Sequence, residues 1–264
     1  ACAITSIALD HQDMLGQTLG EIAYEKACIA RPGVPLFVGA LPAVALSEIL
    51  RVAESCGAPV RRLGVDFGPP AFPVSLAGHH QTSNAALAVA LAGGVASRRG
   101  CRLAPEAVRE GFARTRSPGR MEPLAEDVLL DCAHNAEGAE KLVSALPQAP
   151  CRALVVSIVQ GKDAVAMLAT LCPHFDHIVI TRSPSERSCV PEALAALVPH
   201  DDKAKLELVP EPHQAVTRAR SLVAGSPHGL VVIAGSIFLI GAVRAHLLHE
   251  PVDPIPGSDP MPHL

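Results

Sequence analysis

The chain has 264 residues, enough for two domains rather than one small one. Its formal net charge of -4 and the lack of a long basic stripe argue against nucleic acid as a main partner. Hydrophobic residues make up 49% but aromatics only 3%, so the cores must be packed from Ala, Val, Leu and Ile, as in a parallel sheet covered by helices.

Eight Cys are scattered along the chain without a C-x-x-C pair. That argues against a disulfide framework or structural zinc and for reduced thiols in a cytoplasmic protein. No apolar run is long enough to cross a bilayer; the best, residues 229–240, is broken by Gly235 and Ser236. No signal peptide is visible, and no membrane partner is expected. The chain starts at Ala1 in an apolar run, which reads as the continuation of something longer.

In chain order, residues 3–9 read as a buried strand ending in Asp10-His11. Thr18 caps a helix running to about Ala30, and Glu21 three residues on completes a capping box. His11 lies at a strand end, where a cation or phosphate could be met. Lys26 falls near the end of the helix, where the macrodipole favours a solvated cation in any case. Residues 34–39 are a second strand, 42–55 a helix, and 59–67 a third strand followed by a Pro/Gly-rich loop. Residues 81–96 form an Ala/Leu-rich helix that opens on Gly78-His79-His80-Gln81-Thr82-Ser83-Asn84. Polar groups there suit a nucleobase or phosphate at a helix N-terminus, or a plain polar cap. A further helix covers 105–113.

Arg, Ser, Pro and Gly then break the pattern at 115–123, which places a domain boundary there. The expected division is residues 1–116, a linker at 117–124, a second domain at 125–250 and a loose tail at 251–264. In the linker, Ser117-Pro118-Gly119-Arg120-Met121-Glu122 fixes Arg120 on a Pro-Gly turn, a place that suits a phosphate. Beyond it, strands at 127–131, 153–158, 177–181, 206–209 and 230–234 alternate with helices at 135–146, 164–171, 191–197, 212–223 and 237–248. This βαβ rhythm predicts a mostly parallel sheet with helices on both faces.

Two strand ends in this half carry polar chemistry. Leu130-Asp131-Cys132-Ala133-His134-Asn135 puts a carboxylate and an imidazole at a strand's carboxyl end, where open α/β sheets collect ligands. On structural grounds alone, Asp131 is a cap, Asn135 a turn residue and His134 a surface side chain. Ala234-Gly235-Ser236-Ile237 repeats the pattern: a hydroxyl and free N–H groups that suit a carboxylate, or a simple Ser cap.

Taken in order, these segments resemble the folylpolyglutamate synthase/dihydrofolate synthase branch of the Mur ligase family of ATP-dependent amide ligases. The resemblance rests on Leu9-Asp10-His11, Glu25-Lys26-Ala27-Cys28, His80-Gln81-Thr82-Ser83-Asn84, Pro118-Gly119-Arg120-Met121-Glu122, Asp131-Cys132-Ala133-His134-Asn135 and Gly235-Ser236. It covers residues 4–247. It implies an α/β chain: part of a P-loop-type ATPase domain, then a Rossmann-like α/β C-terminal domain. The family pattern differs at Ser117, where it has Trp, and at Cys132, where it has Gly.

The resemblance also implies roles. His11 helps hold magnesium. Lys26 is carbamylated and supports the metal or an acyl phosphate. Asn84 meets the adenine side of ATP, and Arg120 its phosphates. Asp131 contacts the nucleotide or orients the amino acid, and His134 and Ser236 lie near glutamate. The implied partners are ATP, a folate or dihydropteroate, and L-glutamate, handled by a monomer. These six residues — Asp131, His134, Ser236 and Arg120 facing His11 and Lys26 — are expected to converge on one groove. No G-x-x-x-x-G-K-[ST] pattern occurs in the chain. The family's phosphate loop is therefore expected upstream of Ala1, and the 264 residues alone are expected not to turn over. A muramyl-peptide ligase and a non-catalytic binding remnant are the alternatives.

Overall fold

The computed structural model describes residues 1–251; apart from Pro251, the tail expected at 251–264 lies outside the described residues. The described chain divides into two compact units, residues 1–116 and 117–251.

The first unit contains β1 (Cys2–Ile4), α1 (Gln12–Leu15), α2 (Leu19–Ala27), β2 (Leu36–Val38), α3 (Ala43–Ser55), β3 (Val60–Arg62), α4 (His79–Arg98) and α5 (Pro105–Arg114). The three strands form a parallel sheet in the order β1-β2-β3. Ile22, Ala23 and Ala27 of α2 and Ala45, Ile49 and Ala53 of α3 are fully buried in one core with Leu36 and Val38. The four-residue steps from Ala23 to Ala27 and from Ala45 through Ile49 to Ala53 put these side chains on one helix face. The Thr18–Glu21 capping box is present: Thr18 Oγ1 accepts from the Glu21 N–H at 3.2 Å, and Glu21 Oε2 accepts from the Thr18 N–H at 2.9 Å.

The strand expected over 3–9 is only three residues long. β2 ends at Val38, and Gly39 then passes so close to Thr5 that a Cβ would lie 2.2 Å from the Thr5 carbonyl oxygen. With no partner beyond Ile4, residues 5–9 have no ladder to join. β3 is short for the same reason, since its register with β2 ends at Arg62 opposite Val38.

The second unit contains β4 (Glu122–Ala125), β5 (Val128–Leu130), α6 (Ala136–Ala145), β6 (Arg152–Val156), α7 (Ala164–Leu171), β7 (His177–Ile180), α8 (Pro191–Leu197), β8 (Leu206–Leu208), α9 (Pro212–Val223), β9 (Leu230–Ala234) and α10 (Ile237–Leu248). They build a six-stranded sheet in the order β4-β5-β9-β6-β7-β8, parallel except for the antiparallel edge strand β4. β4 falls in the segment read as a boundary; it carries Pro123, which the sheet tolerates because β4 is an edge.

Strand residues alternate between two cores. Leu154, Val156, Ile178, Ile180 and Val232 pack with Leu142, Met167, Leu168 and Leu194 from α6, α7 and α8. Ala153, Val155, Val179, Val231 and Ile233 pack with Ala215, Val216, Leu239 and Val243 from α9 and α10. Helices therefore cover both faces of a Rossmann-like sheet, and each fully buried Val, Leu, Ile or Met side chain contributes about 1.5–3 kcal/mol. The connection from β5 through α6 runs toward β6, whereas that from β8 through α9 returns to β9. Right-handed crossovers in opposite directions put α6 and α9 on opposite faces.

Candidate active site at the carboxyl ends of β5 and β9

β5 and β9 are neighbours, yet the chain leaves β5 into α6 on one face and β9 into α10 on the other. A crevice opens at the carboxyl ends of strands where such connections diverge. Both polar segments singled out in this half sit there.

The two strand ends are stitched together by backbone bonds. The Asp131 N–H donates to the Ile233 carbonyl at 3.0 Å, and the Gly235 N–H to the Ala133 carbonyl at 2.9 Å. Asp131 is 8% exposed. Its Oδ1 accepts from the Ala133 N–H at 2.9 Å and its Oδ2 from the Met121 N–H at 3.0 Å. The carboxylate thus closes its own turn and holds the segment carrying Arg120. Met121 adopts φ 46°, a left-handed conformation that costs a residue with a side chain about 1–2 kcal/mol and persists here because its N–H is caught by Asp131.

His134 is half-buried, with Nδ1 2.9 Å from the Cys132 carbonyl. A carbonyl only accepts, so Nδ1 carries the proton of that bond and the ring is oriented by it. Asn135 caps α6, its Oδ1 accepting from the Gly138 N–H at 2.8 Å. Ser236 is buried and caps α10, its Oγ accepting from the Phe238 N–H at 3.2 Å. Ile237, next in the chain, is 62% exposed at the same helix end. Gly235 is required: at φ +99° a Cβ would lie 2.4 Å from the Ser157 carbonyl oxygen.

Arg120 is exposed, on a turn whose every neighbour is fastened. The Arg120 N–H donates to the Ser117 carbonyl at 3.1 Å, and the Cys132 N–H to the Gly119 carbonyl at 2.7 Å. The Gly119 N–H donates to Glu122 Oε2 at 2.7 Å, and Arg244 Nε of α10 donates to Glu122 Oε1 at 3.0 Å. Burial pushes the Cys132 thiol up, and the positive charge of Arg120 opposes that shift. Cys132 occupies the place where the family pattern has Gly. Its Sγ lies 2.5 Å from the position of a Gly119 Cβ, so only glycine fits opposite it. Glu122 and Arg244 received no role in the sequence reading. Arg244 is 122 positions away, and no local pattern announces so distant a partner.

In the first unit, His11 adopts φ 51° at the start of α1; its N–H donates to Asp10 Oδ1 at 2.9 Å, and its side chain is 52% exposed. Lys26 is exposed in the last turn of α2. Asn84 is exposed on α4, its Nδ2 donating to Oε1 of buried Gln81 at 3.0 Å. Among the described residues, no three His, Cys, Asp or Glu side chains gather so as to hold a metal ion. His11 with Asp10 offers at most two donors, which suits a cation that takes its remaining ligands from nucleotide oxygens and water.

Residues 119–237 match the family described as Mur ligase, glutamate ligase domain. The dihydrofolate synthase/folylpolyglutamate synthase of Mycobacterium tuberculosis is 33% identical over 94% of this chain and 60% of its own length. A crystal structure of Mycobacterium tuberculosis folylpolyglutamate synthase complexed with ADP and AMPPCP superposes with a TM-score of 0.85 at 31% identity, covering 95% of this chain and 64% of that one. The Yersinia pestis bifunctional folylpolyglutamate synthase/dihydrofolate synthase complexed with AMPPNP and Mn ion gives 0.78 at 26% identity, covering 94% and 61%. The match covers about three fifths of the length of the Mycobacterium tuberculosis relative and of the folylpolyglutamate synthase of Lacticaseibacillus casei, and less of other curated relatives.

Proposed function

We propose that the chain belongs to the Mur ligase family as a homologue of the folylpolyglutamate and dihydrofolate synthases, and that it forms part of an ATP-dependent ligase adding L-glutamate to a folate or dihydropteroate. In this reaction the γ-phosphoryl group of ATP, presented as its magnesium complex, passes to the substrate carboxylate, giving an acyl phosphate and ADP. The glutamate amine then attacks the acyl carbon and loses a proton, the bond from that carbon to the phosphate oxygen breaks, and the amide forms as phosphate leaves. Little covalent work falls to the protein; its part is positioning and charge stabilisation.

One observation carries the reading: Asp131, His134, Ser236 and the Arg120 turn are held together at the ends of β5 and β9 by the bonds described above. We assign the Arg120 guanidinium to the phosphates, because it is exposed on an immobilised turn and matches phosphate oxygens bidentately. Asp131 orients that turn. His134, its ring fixed through Nδ1, is assigned to the glutamate amine, and the α10 N-terminus capped by Ser236 to a glutamate carboxylate. In the first unit, Lys26 is assigned to the phosphate side as its ammonium or carbamate, Asn84 to the adenine and His11 to the cation that accompanies ATP.

The test is product formation by the full-length protein supplied with ATP, magnesium, glutamate and either dihydropteroate or a folate. A product heavier by one glutamyl unit, formed with stoichiometric ADP, is expected. Phosphate release without an amide, or with a muramyl nucleotide in place of a pteroate, would overturn it. Residues 1–264 contain no phosphate-loop pattern, and on their own they are expected to show no turnover and no submillimolar ATP binding by isothermal titration.

A further inference from the structure

Ser236, Ile240 and Arg244 are spaced by four along α10, which puts them on one face of the helix. Ser236 caps the helix beside Gly235. Ile240 presses on the Arg120 turn, its Cγ2 2.8 Å from the position of a Gly119 Cβ. Arg244 reaches β4, where its Nε lies 3.0 Å from Oε1 and 3.2 Å from Oε2 of Glu122. Glu122 Oε2 also accepts from the Gly119 N–H, the residue before Arg120.

The Glu122 carboxylate therefore sits between a fixed cation and the backbone of the turn. Its side chain is 19% exposed and that of Arg244 is 23% exposed, so the pair is sheltered enough to be more than a screened surface contact. Arg244 is gripped from its other side by Glu250. On the far flank of Arg120, the Met121 N–H is taken by Asp131. Arg120 is thus bracketed by two carboxylates, each bound to the backbone of a neighbouring residue, while its own side chain points into solvent.

We propose that Glu122, held by Arg244, is a positioning residue that acts through Arg120 to set the geometry of phosphate recognition from α10. The proposal rests on the assignment of Arg120 to the nucleotide phosphates made above. A guanidinium recognises phosphate through a rigid planar fork, so a turn that swings loses the bidentate match before it loses the charge. Glu122→Gln keeps an acceptor for the Gly119 N–H but removes the charge that Arg244 grips. Arg244→Gln breaks the same pair from the helix side.

The experiment measures KM for ATP, KM for glutamate, kcat and melting temperature in the full-length protein. The variants are E122Q, R244Q, R120A and the double variant R120A/E122Q. E122Q and R244Q are each expected to raise the KM for ATP about tenfold, the scale of a lost charge-assisted hydrogen bond, with the KM for glutamate unchanged. Adding E122Q to R120A is expected to change the KM for ATP no further, because the residue through which Glu122 acts is already gone. Full additivity of the two substitutions, or equal rises in both KM values, makes Glu122 merely structural and overturns the proposal. R120A leaving the KM for ATP untouched removes the assignment of Arg120 and this inference with it. An Arg120 effect without a Glu122 effect removes this inference alone. If E122Q does not fold, R244Q and R120A/R244Q carry the same comparison.

Discussion

Asp131 answers two backbone N–H groups, from Ala133 and Met121, with its two carboxylate oxygens. In Asp131→Asn one of those N–H groups faces an amide NH2 instead of an oxygen, in a buried place. The expected cost is about 1–3 kcal/mol, read as a lowered denaturation midpoint in urea with an unchanged slope. The carboxylate itself was legible, because a strand ending in Asp followed by a polar turn has few other readings. Its reach back to Met121 was not, since it depends on a left-handed backbone at a residue whose identity gives no hint of one. Cys172 shows a second single-residue effect. Burial pushes its thiol from 9.0 to about 12. The folded state then holds this proton more tightly than the unfolded chain. Its contribution to stability is complete below pH 9.0 and disappears as pH rises toward about 12. Melting temperatures taken across that alkaline window should fall for the wild type and fall less steeply for Cys172→Ala. Exposed Cys28 and Cys101 should react with thiol reagents without unfolding, and Cys172 should not.

Helix α10 and the residue before its cap offer two glycine tests of opposite sign. Gly235, just before it, cannot accept a Cβ without meeting the Ser157 carbonyl oxygen at 2.4 Å, and its φ is +99°. Gly235→Ala is therefore expected to destabilise the second unit by more than about 2 kcal/mol. Gly241, inside the helix, has nothing within 4 Å of a Cβ, and Gly241→Ala should stabilise by about 0.5–1 kcal/mol. Thermal or urea unfolding of the pair checks both signs. Elements governed by their own sequence were the legible ones. The capping box of α2 and the β-branched runs of β6, β7 and β9 needed only local chemistry. Lengths set by a partner were not legible: residues 5–9 look like a strand, but β2 stops at Val38 and leaves them unpaired. β4 was hidden by Pro123 and by linker-like neighbours, and it is a strand only because β5 offers its edge.

At the scale of the molecule, each unit draws its cores from its own residues. Two clusters line the faces of the six-stranded sheet, and one smaller cluster serves the three-stranded sheet. Residues 117–251 alone are therefore expected to fold cooperatively, with a sigmoidal melt followed by circular dichroism; a non-cooperative melt would contradict this. The alternation of strands and helices announced a parallel sheet, but not the order β4-β5-β9-β6-β7-β8. That order rests on pairings such as Val128 with Val231, which join distant parts of the chain. The same sheet ends at β4 and β8, and neither margin invites growth. Pro123 has no amide hydrogen to lend a newcomer, and Glu207 on β8 is pinned by the Arg218 guanidinium at 2.7 Å through both oxygens. Pro123→Val together with Glu207→Val should turn these guarded margins into templates, seen as light scattering that rises with protein concentration. Resistance of the second unit to edge-to-edge growth is thus expected to rest on two side chains at opposite margins, Pro123 beside Glu122 and Glu207 on β8.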